Sequence, residues 1–334
     1  MQETYRIIGV ESSPYTVKVR AVMRFRRLPH VWLSRMPQYF EETEHVRPLL
    51  MPVVQFPDGT YRADTTPIIL DLERLHPNSR SIVPTDLAAA FLSLLIEDMA
   101  DEWLSKCLFH NRFSKSENRS FAPAWVMDDA YPGLSRERLE ELTAKFLERQ
   151  TNRMPLFGCI PENAELFETF YRETLAALES MAATDRFLFG TRPSLADFGL
   201  YGQLTTLAAD PTSMAVMRRT APRTEHWVRR LDDGSGIDGD WNETGASAVV
   251  VEFIAMAGRY YLPFLEANAN AVAERDESFR VELAGQSYTQ PAGRYQSKCL
   301  DFLRAQFARL DASERGRING LLDETGCLEV LEAS

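Results

Sequence analysis

The chain has 334 residues, of which 45% are hydrophobic and 25% charged, and a formal net charge of −11. That length supports about two domains with sizeable cores, and the charged share is ordinary for a globular protein. The acidic balance, with a pI of about 5.1, argues against a general nucleic-acid footprint and leaves only a local basic patch open.

The polar start Met1-Gln2-Glu3-Thr4 carries no apolar signal segment. Tyr5-Arg6-Ile7-Ile8-Gly9-Val10 reads as a strand, and Tyr15 to Leu28 as a helix. Between them stands Ser12-Ser13-Pro14. Pro14 suits the first helical turn, where its missing N–H has no partner to lose. Ser12 or Ser13 then falls at or next to the N-cap. The free N–H groups and the helix dipole there suit an anion such as a thiolate, although a plain cap is the commoner role of a serine in this place. His30-Val31-Trp32-Leu33 reads as a second strand, giving a parallel βαβ unit with a right-handed crossover. Gln38 to His45 reads as a short helix. Met51 to Phe56 and Tyr61-Arg62-Ala63 flank Pro57-Asp58-Gly59-Thr60, which predicts a hairpin because Asp-Gly accepts the positive φ of a tight turn. Asp64-Thr65-Thr66-Pro67 opens a helix through Leu75. The order from residue 5 to 76 is β-α-β-α-β-β-α. Pro52 heads a strand, where a proline wastes a ladder donor. A cis Met51–Pro52 bond would turn the backbone and free the Met51 N–H and C=O for a ligand; a trans proline at an edge-strand start is the alternative.

Pro77 to Thr85 is polar and proline-containing, and reads as an interdomain linker. Beyond it the pattern is helical over Leu87–Phe109, Ser135–Met154 and Pro161–Ala183, with Phe121–Gly133 read as a loop for its Pro, Gly and aromatic content. Ser194 and Asp197 stand as N-cap and N3 of a further helix, a reciprocal capping device with no catalytic role. The stretch 232–245, rich in Asp, Gly and Ser, reads as a mobile loop. Ser247–Ala273 has helical spacing, with Pro263 expected to kink or end the helix. Phe279–Leu283 and Gln286–Thr289 read as paired strands, Tyr295–Leu310 as an amphipathic helix, and Ser313–Leu331 as one or two short helices. No apolar run approaches the roughly 20 residues of a membrane span. Cys107, Cys159, Cys299 and Cys327 form no CxxC or CxxH pair, so neither a disulfide framework nor a metal site is expected, and idle thiols in a reducing cytoplasm are the simpler account. His30, His45, His76, His110 and His226 form no spaced set and are expected at surface or capping positions. Arg24-Phe25-Arg26-Arg27 reads as a solvated helix face.

Several of these motifs carry a resemblance. Ser13-Pro14-Tyr15 resembles the Ser/Cys-Pro-Phe/Tyr motif of the tau- and omega-type classes of the glutathione S-transferase family. Met51-Pro52-Val53-Val54 resembles that family's Val-Pro-Val-Leu motif with its cis-proline, and Asp64-Thr65 resembles its Glu/Gln-Ser pair. Gly190-x-x-Pro193-Ser194-x-Ala196-Asp197 resembles the capping segment of its helical domain, and Trp227 lies in what resembles the next helix. The resemblance spans about residues 5 to 232. It implies an α+β chain: a thioredoxin-like βαβαββα domain over 1–78, an all-α C-terminal domain over 86–232, and a mostly helical extension over 246–334 packed on it.

The resemblance also implies roles. Ser13 would donate its hydroxyl to the glutathione sulfur, which together with the helix dipole favours thiolate over thiol. Ser12 and Tyr15 are lesser candidates, Tyr15 packing one face with Val19 and Val22. The main chain of Met51, ahead of Pro52, would pair with the cysteinyl backbone as an added strand. Thr65 and the helix N-terminus would bind the γ-glutamyl carboxylate, and Asp64 the α-amino group. Asp64 is one methylene shorter than the usual Glu or Gln. Leu50 stands where a Lys often precedes the Val-Pro pair, leaving Arg47 or Lys18 to serve the glycine carboxylate. Position 13 is not Cys, and neither is position 16, so thiol–disulfide exchange is disfavoured. The implied function is a cytoplasmic, homodimeric glutathione transferase that uses glutathione as co-substrate and no metal. It would act on a small hydrophobic electrophile, without nucleic-acid or membrane partners. The alternative is a non-catalytic member, a binding or assembly protein that kept the fold.

Overall fold

The computed structural model describes residues 4–34, 37–77, 80–184, 186–242 and 246–333. The start at 1–3, Asn78 and Ser79 of the expected linker, and 243–245 of the expected loop lie outside the described residues. In chain order, β1 (Tyr5–Gly9), α1 (Pro14–Phe25), β2 (His30–Ser34), α2 (Pro37–Thr43), β3 (Val53–Gln55), β4 (Tyr61–Ala63) and α3 (Thr65–Leu75) follow the expected β-α-β-α-β-β-α order. The sheet runs β2-β1-β3-β4. β1 is parallel to β2 and antiparallel to β3, and β3 is antiparallel to β4. Ile7 and Val54 of the sheet, Val19 and Met23 of α1, and Ile68 and Leu72 of α3 form one buried cluster. Each such aliphatic side chain contributes roughly 1.5–3 kcal/mol by leaving water.

Ile8 pairs with Val53, and Val53 with Ala63, so these three residues make one row across the sheet. Beyond that row β1 runs into the start of α1, Pro52 leads into β3, and Asp64 leads out of β4. All three motifs therefore leave the sheet at the same end.

The helical part follows: α4 (Leu87–Met99), α5 (Ser105–Ser114), α6 (Ser116–Ala130), α7 (Arg136–Arg153), α8 (Ala164–Ala182), α9 (Leu195–Leu207), α10 (Pro211–Thr220) and α11 (Pro222–Asp232). The extension adds α12 (Ala248–Met256), α13 (Leu262–Glu274), a hairpin of β5 (Ser278–Leu283) and β6 (Gln286–Pro291), α14 (Arg294–Ala308), α15 (Ala312–Glu324) and α16 (Cys327–Glu332). The expected helix over Leu87–Phe109 is broken by a π-helical turn at Ala100–Leu104 and continues to Ser114. The loop expected over Phe121–Gly133 is instead helix α6, with Pro123 inside it. Burial of Ala122, Pro123, Met127 and Ala130 along one face outweighs the proline's missing bond. Pro263 does not end its helix, because it falls at the start of α13 after a second π turn at Ala257–Tyr261.

The chain gathers into two compact units, one of residues to 82 with 111–151 and 201–238, the other of 83–110, 152–200 and 239 onward. In the first, Arg20 and Arg24 of α1 both reach Asp232 at 2.7 Å. Arg26 is buried, pairs with Glu73 and donates to the His76 carbonyl. The solvated face expected over Arg24–Arg27 is thus corrected for Arg24 and Arg26, which fasten α1 to its neighbours, while Arg27 is exposed. A Cβ on Gly202 would lie 2.7 Å from the Pro14 carbonyl oxygen, so only glycine permits this approach of α9 to the start of α1.

In the second unit, Trp103 is ringed by Phe167, Phe170, Phe264 and Tyr288 at centroid distances of 5.8, 6.3, 5.1 and 5.3 Å. Lys106 is buried; its Nζ donates to Gln290 Oε1 at 2.7 Å and to the Phe157 carbonyl at 3.2 Å. The expected cap of α9 is present: Ser194 N–H and Oγ–H donate to Asp197 Oδ2 at 2.8 and 2.6 Å, and Leu188 N–H to Oδ1 at 3.1 Å. The run Ala248–Glu274 is, by length and composition, long and apolar enough to cross a bilayer, contrary to the sequence expectation, which had divided it at Pro263. Its most apolar window is 67% buried inside the protein, the pattern of a core helix. All four cysteines are buried and unbridged.

Candidate functional site

Of the two candidate caps, Ser13 is the N-cap of α1. Its backbone is extended, with φ −94° and ψ 119°, and Pro14 occupies the first turn. The Thr16 N–H donates to Ser13 Oγ at 3.4 Å. A serine hydroxyl has one donor and two acceptor positions, so this bond leaves its O–H able to donate elsewhere. The Ser13 carbonyl accepts from Thr16 and Val17 at 3.1 and 3.2 Å, and the Ser13 N–H donates to the Val10 carbonyl at 3.2 Å.

The Met51–Pro52 bond is cis, and so is Arg47–Pro48. Met51 and Tyr15 are half-buried and Pro52 is buried. Asp64 has φ 77° and ψ 121°, a left-handed region that costs a non-glycine residue about 1–3 kcal/mol and clusters at functional sites. Its side chain makes no capping bond to α3. Thr65 is buried, and Lys18, fully buried on α1, donates from Nζ to Thr65 Oγ1 at 3.4 Å. Lys18 therefore belongs to the Asp64–Thr65 turn. Arg47 Nη1 donates to the Glu44 and Val46 carbonyls at 2.5 and 3.0 Å.

Helices α5 and α6 bring residues that the sequence reading passed over. Asp129 Oδ2 accepts the Ser12 N–H at 2.7 Å. Arg112 Nη1 donates to the Ser12 carbonyl at 3.1 Å, while its Nε and Nη2 make a two-pronged contact with the fully buried Asp210 at 2.9 and 3.1 Å. Burial pushes the Asp129 carboxyl above the usual carboxylate range, with the Ser12 N–H opposing. Burial likewise pushes Asp210 up, and the Arg112 charge opposes it. The Trp125 ring lies over the Arg112 guanidinium at 5.5 Å, and Phe121 stacks on Trp125 at 5.9 Å. Phe121, Trp125 and Asp129 stand at i, i+4 and i+8, which is the helical signal that Pro123 and Gly133 masked.

The histidines stay apart. His76 Nε2 meets Tyr5 Oη at 2.8 Å, His30 Nδ1 meets the Leu28 carbonyl at 2.8 Å, His45 lies edge-on to Tyr61, and His110 packs on Phe167. Among the described residues, no group of three or more His, Cys, Asp or Glu side chains is arranged to hold a metal ion.

Two family models match the sequence. The glutathione S-transferase N-terminal domain matches residues 7–80, and the glutathione S-transferase C-terminal domain matches residues 164–230. The chain carries both domains of the glutathione S-transferase family. Its thioredoxin-like sheet domain and its helical domain are those of this family. No curated protein matches the sequence. Among solved structures, the β-etherase LigF from Sphingobium sp. strain SYK-6 is 18% identical, with 76% of this chain and 98% of that chain covered and a TM-score of 0.48. A glutathione S-transferase from Methylobacterium radiotolerans, in complex with glutathione sulfonate, is 19% identical over 73% of this chain and 100% of that one, with a TM-score of 0.45. The tau class enzyme of mango is 12% identical over 68% and 87%, with a TM-score of 0.42.

Proposed function

We propose that the protein is a glutathione S-transferase that holds the glutathione thiolate at Ser13 for attack on a small hydrophobic electrophile. The observation that carries this reading is the shared sheet end. The N-cap of α1, the cis Met51–Pro52 bond and the positive-φ Asp64 all flank the row Ile8–Val53–Ala63. On this reading residues 1–78 bind glutathione. Met51 pairs its main chain with the cysteinyl backbone as an added strand. Thr65 and the start of α3 take the γ-glutamyl carboxylate, and Asp64 takes the α-amino group. Tyr15 lines the thiol end. The Ser13 O–H donates to the sulfur while the thiol proton passes to solvent; the electron pair left on sulfur forms the new bond to the electrophilic carbon as the bond to its leaving group breaks, and that group departs with its electron pair, as halide from an aryl halide. We further take the protein to be a cytoplasmic homodimer.

A second reading, a non-catalytic binding or assembly protein with this fold, is favoured by Leu50 and by the engagement of Arg47 with the Glu44 and Val46 carbonyls. Retention on immobilised glutathione together with conjugation of glutathione to an aryl halide supports the transferase. Neither retention nor turnover leaves the second reading. Sedimentation at a dimer mass checks the assembly.

A further inference from the structure

We propose that Asp129 and Arg112 are positioning residues that set the direction of the Ser13 side chain by gripping the residue before it. The proposal rests on the reading of Ser13 as the hydroxyl that holds a thiolate. Four polar groups define this turn, and each has a partner. The Ser12 N–H goes to Asp129 Oδ2, the Ser12 carbonyl to Arg112 Nη1, the Ser13 N–H to the Val10 carbonyl, and the Ser13 carbonyl to the first amides of α1. The first two come from α6 and α5, 117 and 100 residues along the chain, and both are ionic groups.

Ordinary turn geometry does not require this. A strand-to-helix turn closes with its own backbone bonds, as Ser13 N–H to Val10 shows here. The Arg112–Asp210 pair is buried on both sides, and desolvation makes such a pair a poor source of net stability. Its planar guanidinium instead fixes a direction: with two nitrogens held by Asp210, the third points at the Ser12 carbonyl. Asp129 completes the grip by taking the N–H of the same residue. Glu11, 3.4 Å from Arg20, adds a second carboxylate near Asp129, while the Arg112 cation at this turn is paired with Asp210. A carboxylate beside a thiolate site opposes the thiolate, so its presence calls for a geometric benefit.

The test uses the full chain with Asp129→Ala and Asp129→Asn. Asparagine keeps an oxygen for the Ser12 N–H and removes the charge; alanine removes both. Arg112 is left in place, because its loss would strand the buried Asp210. Two measurements are made: kcat and KM for conjugation of glutathione to an aryl halide, and amide hydrogen exchange over residues 10–17. Asp129→Ala should lower kcat by about tenfold to a hundredfold with little change in KM, since the loss is one of alignment. It should also speed exchange at the Ser12 amide. Asp129→Asn should restore both, and its thiol should ionise at the same or a lower pH than in the wild type. The proposal is overturned by unchanged exchange in Asp129→Ala, or by Asp129→Asn failing as badly as Asp129→Ala. A wild-type chain that conjugates nothing would remove the transferase reading, while the exchange measurement would still judge the grip.

Discussion

Ser13 has two jobs on this reading, and they separate by substitution. As an N-cap, serine replaced by glycine costs only a few tenths of a kcal/mol, whereas alanine costs about 1 kcal/mol. As a donor to sulfur, both replacements lose the same hydroxyl. Ser13→Gly is therefore expected to unfold within a few tenths of a kcal/mol of the wild type and still lose about a hundredfold in turnover, the scale of one lost donor to a developing anion. Wild-type turnover in Ser13→Gly, measured beside its denaturation midpoint, would leave Ser13 as a cap only. The residues legible in the sequence were those whose chemistry is local. Pro14 after two serines marks a helix start and Asp58-Gly59 marks a turn, whereas Pro52 at a strand head left a cis and a trans bond both open, and the structure has it cis. Asp129 and Arg112 were not legible, because their partner Ser12 is 117 and 100 positions away and no spacing rule links them. The positive φ of Asp64 was also hidden, since aspartate is an ordinary residue at a helix start.

At the scale of elements, the two proline-bearing helices show where local rules give way. Pro123 and Pro263 were read as breaks, yet α6 runs through one, and the other sits where a π turn has already shifted the bonding pattern. In both cases buried apolar contact across the helix decides, and sequence spacing near a proline carries little of that information. The α9 cap is the opposite case. Ser194 and Asp197 announced themselves by spacing and are bonded as expected. Asp197→Ala would leave the Ser194 and Leu188 amides buried without an acceptor, so we expect a loss of about 2–4 kcal/mol in chemical denaturation. A midpoint equal to that of the wild type would mean the helix start is held by other contacts.

At the scale of the whole molecule, the compact units are not consecutive stretches of chain. Residues 111–151 and 201–238 gather with the sheet, and contacts such as Arg112–Asp210 and Arg20–Asp232 fasten them within that unit. Long-range ion pairs of this kind leave no periodicity to read. The second unit holds the clearest pH dependence. Burial pushes the Lys106 ammonium down from 10.5 to about 8, with Gln290 and the Phe157 carbonyl as its hydrogen-bond partners. Between those two values the unfolded chain binds the proton and the folded chain does not. The contribution of this group to stability therefore rises as pH increases through that window, and the full penalty of burying the charge is present below it. Burial pushes the Cys107, Cys159 and Cys327 thiols up and gives them the opposite slope, so the readout is the difference between the wild type and Lys106→Met. From about pH 7.5 to about pH 9.5 the wild-type denaturation midpoint should gain on that of Lys106→Met, and a difference that stays constant or moves the other way would contradict the assignment.

The row Ile8–Val53–Ala63 also sets where the chain tolerates a change of length. The hairpin tip at Asp58-Gly59 lies at the far end of β3 and β4, so residues gained or lost there leave the three motifs in line. A single deletion inside β3 would turn Val54 out of the core and carry Pro52 one step away from Gly9. Among descendants of this sequence, indels should accumulate at the tip and be purged from the strand, and the motif spacings would stay constant for a mechanical reason whether or not the site is in use.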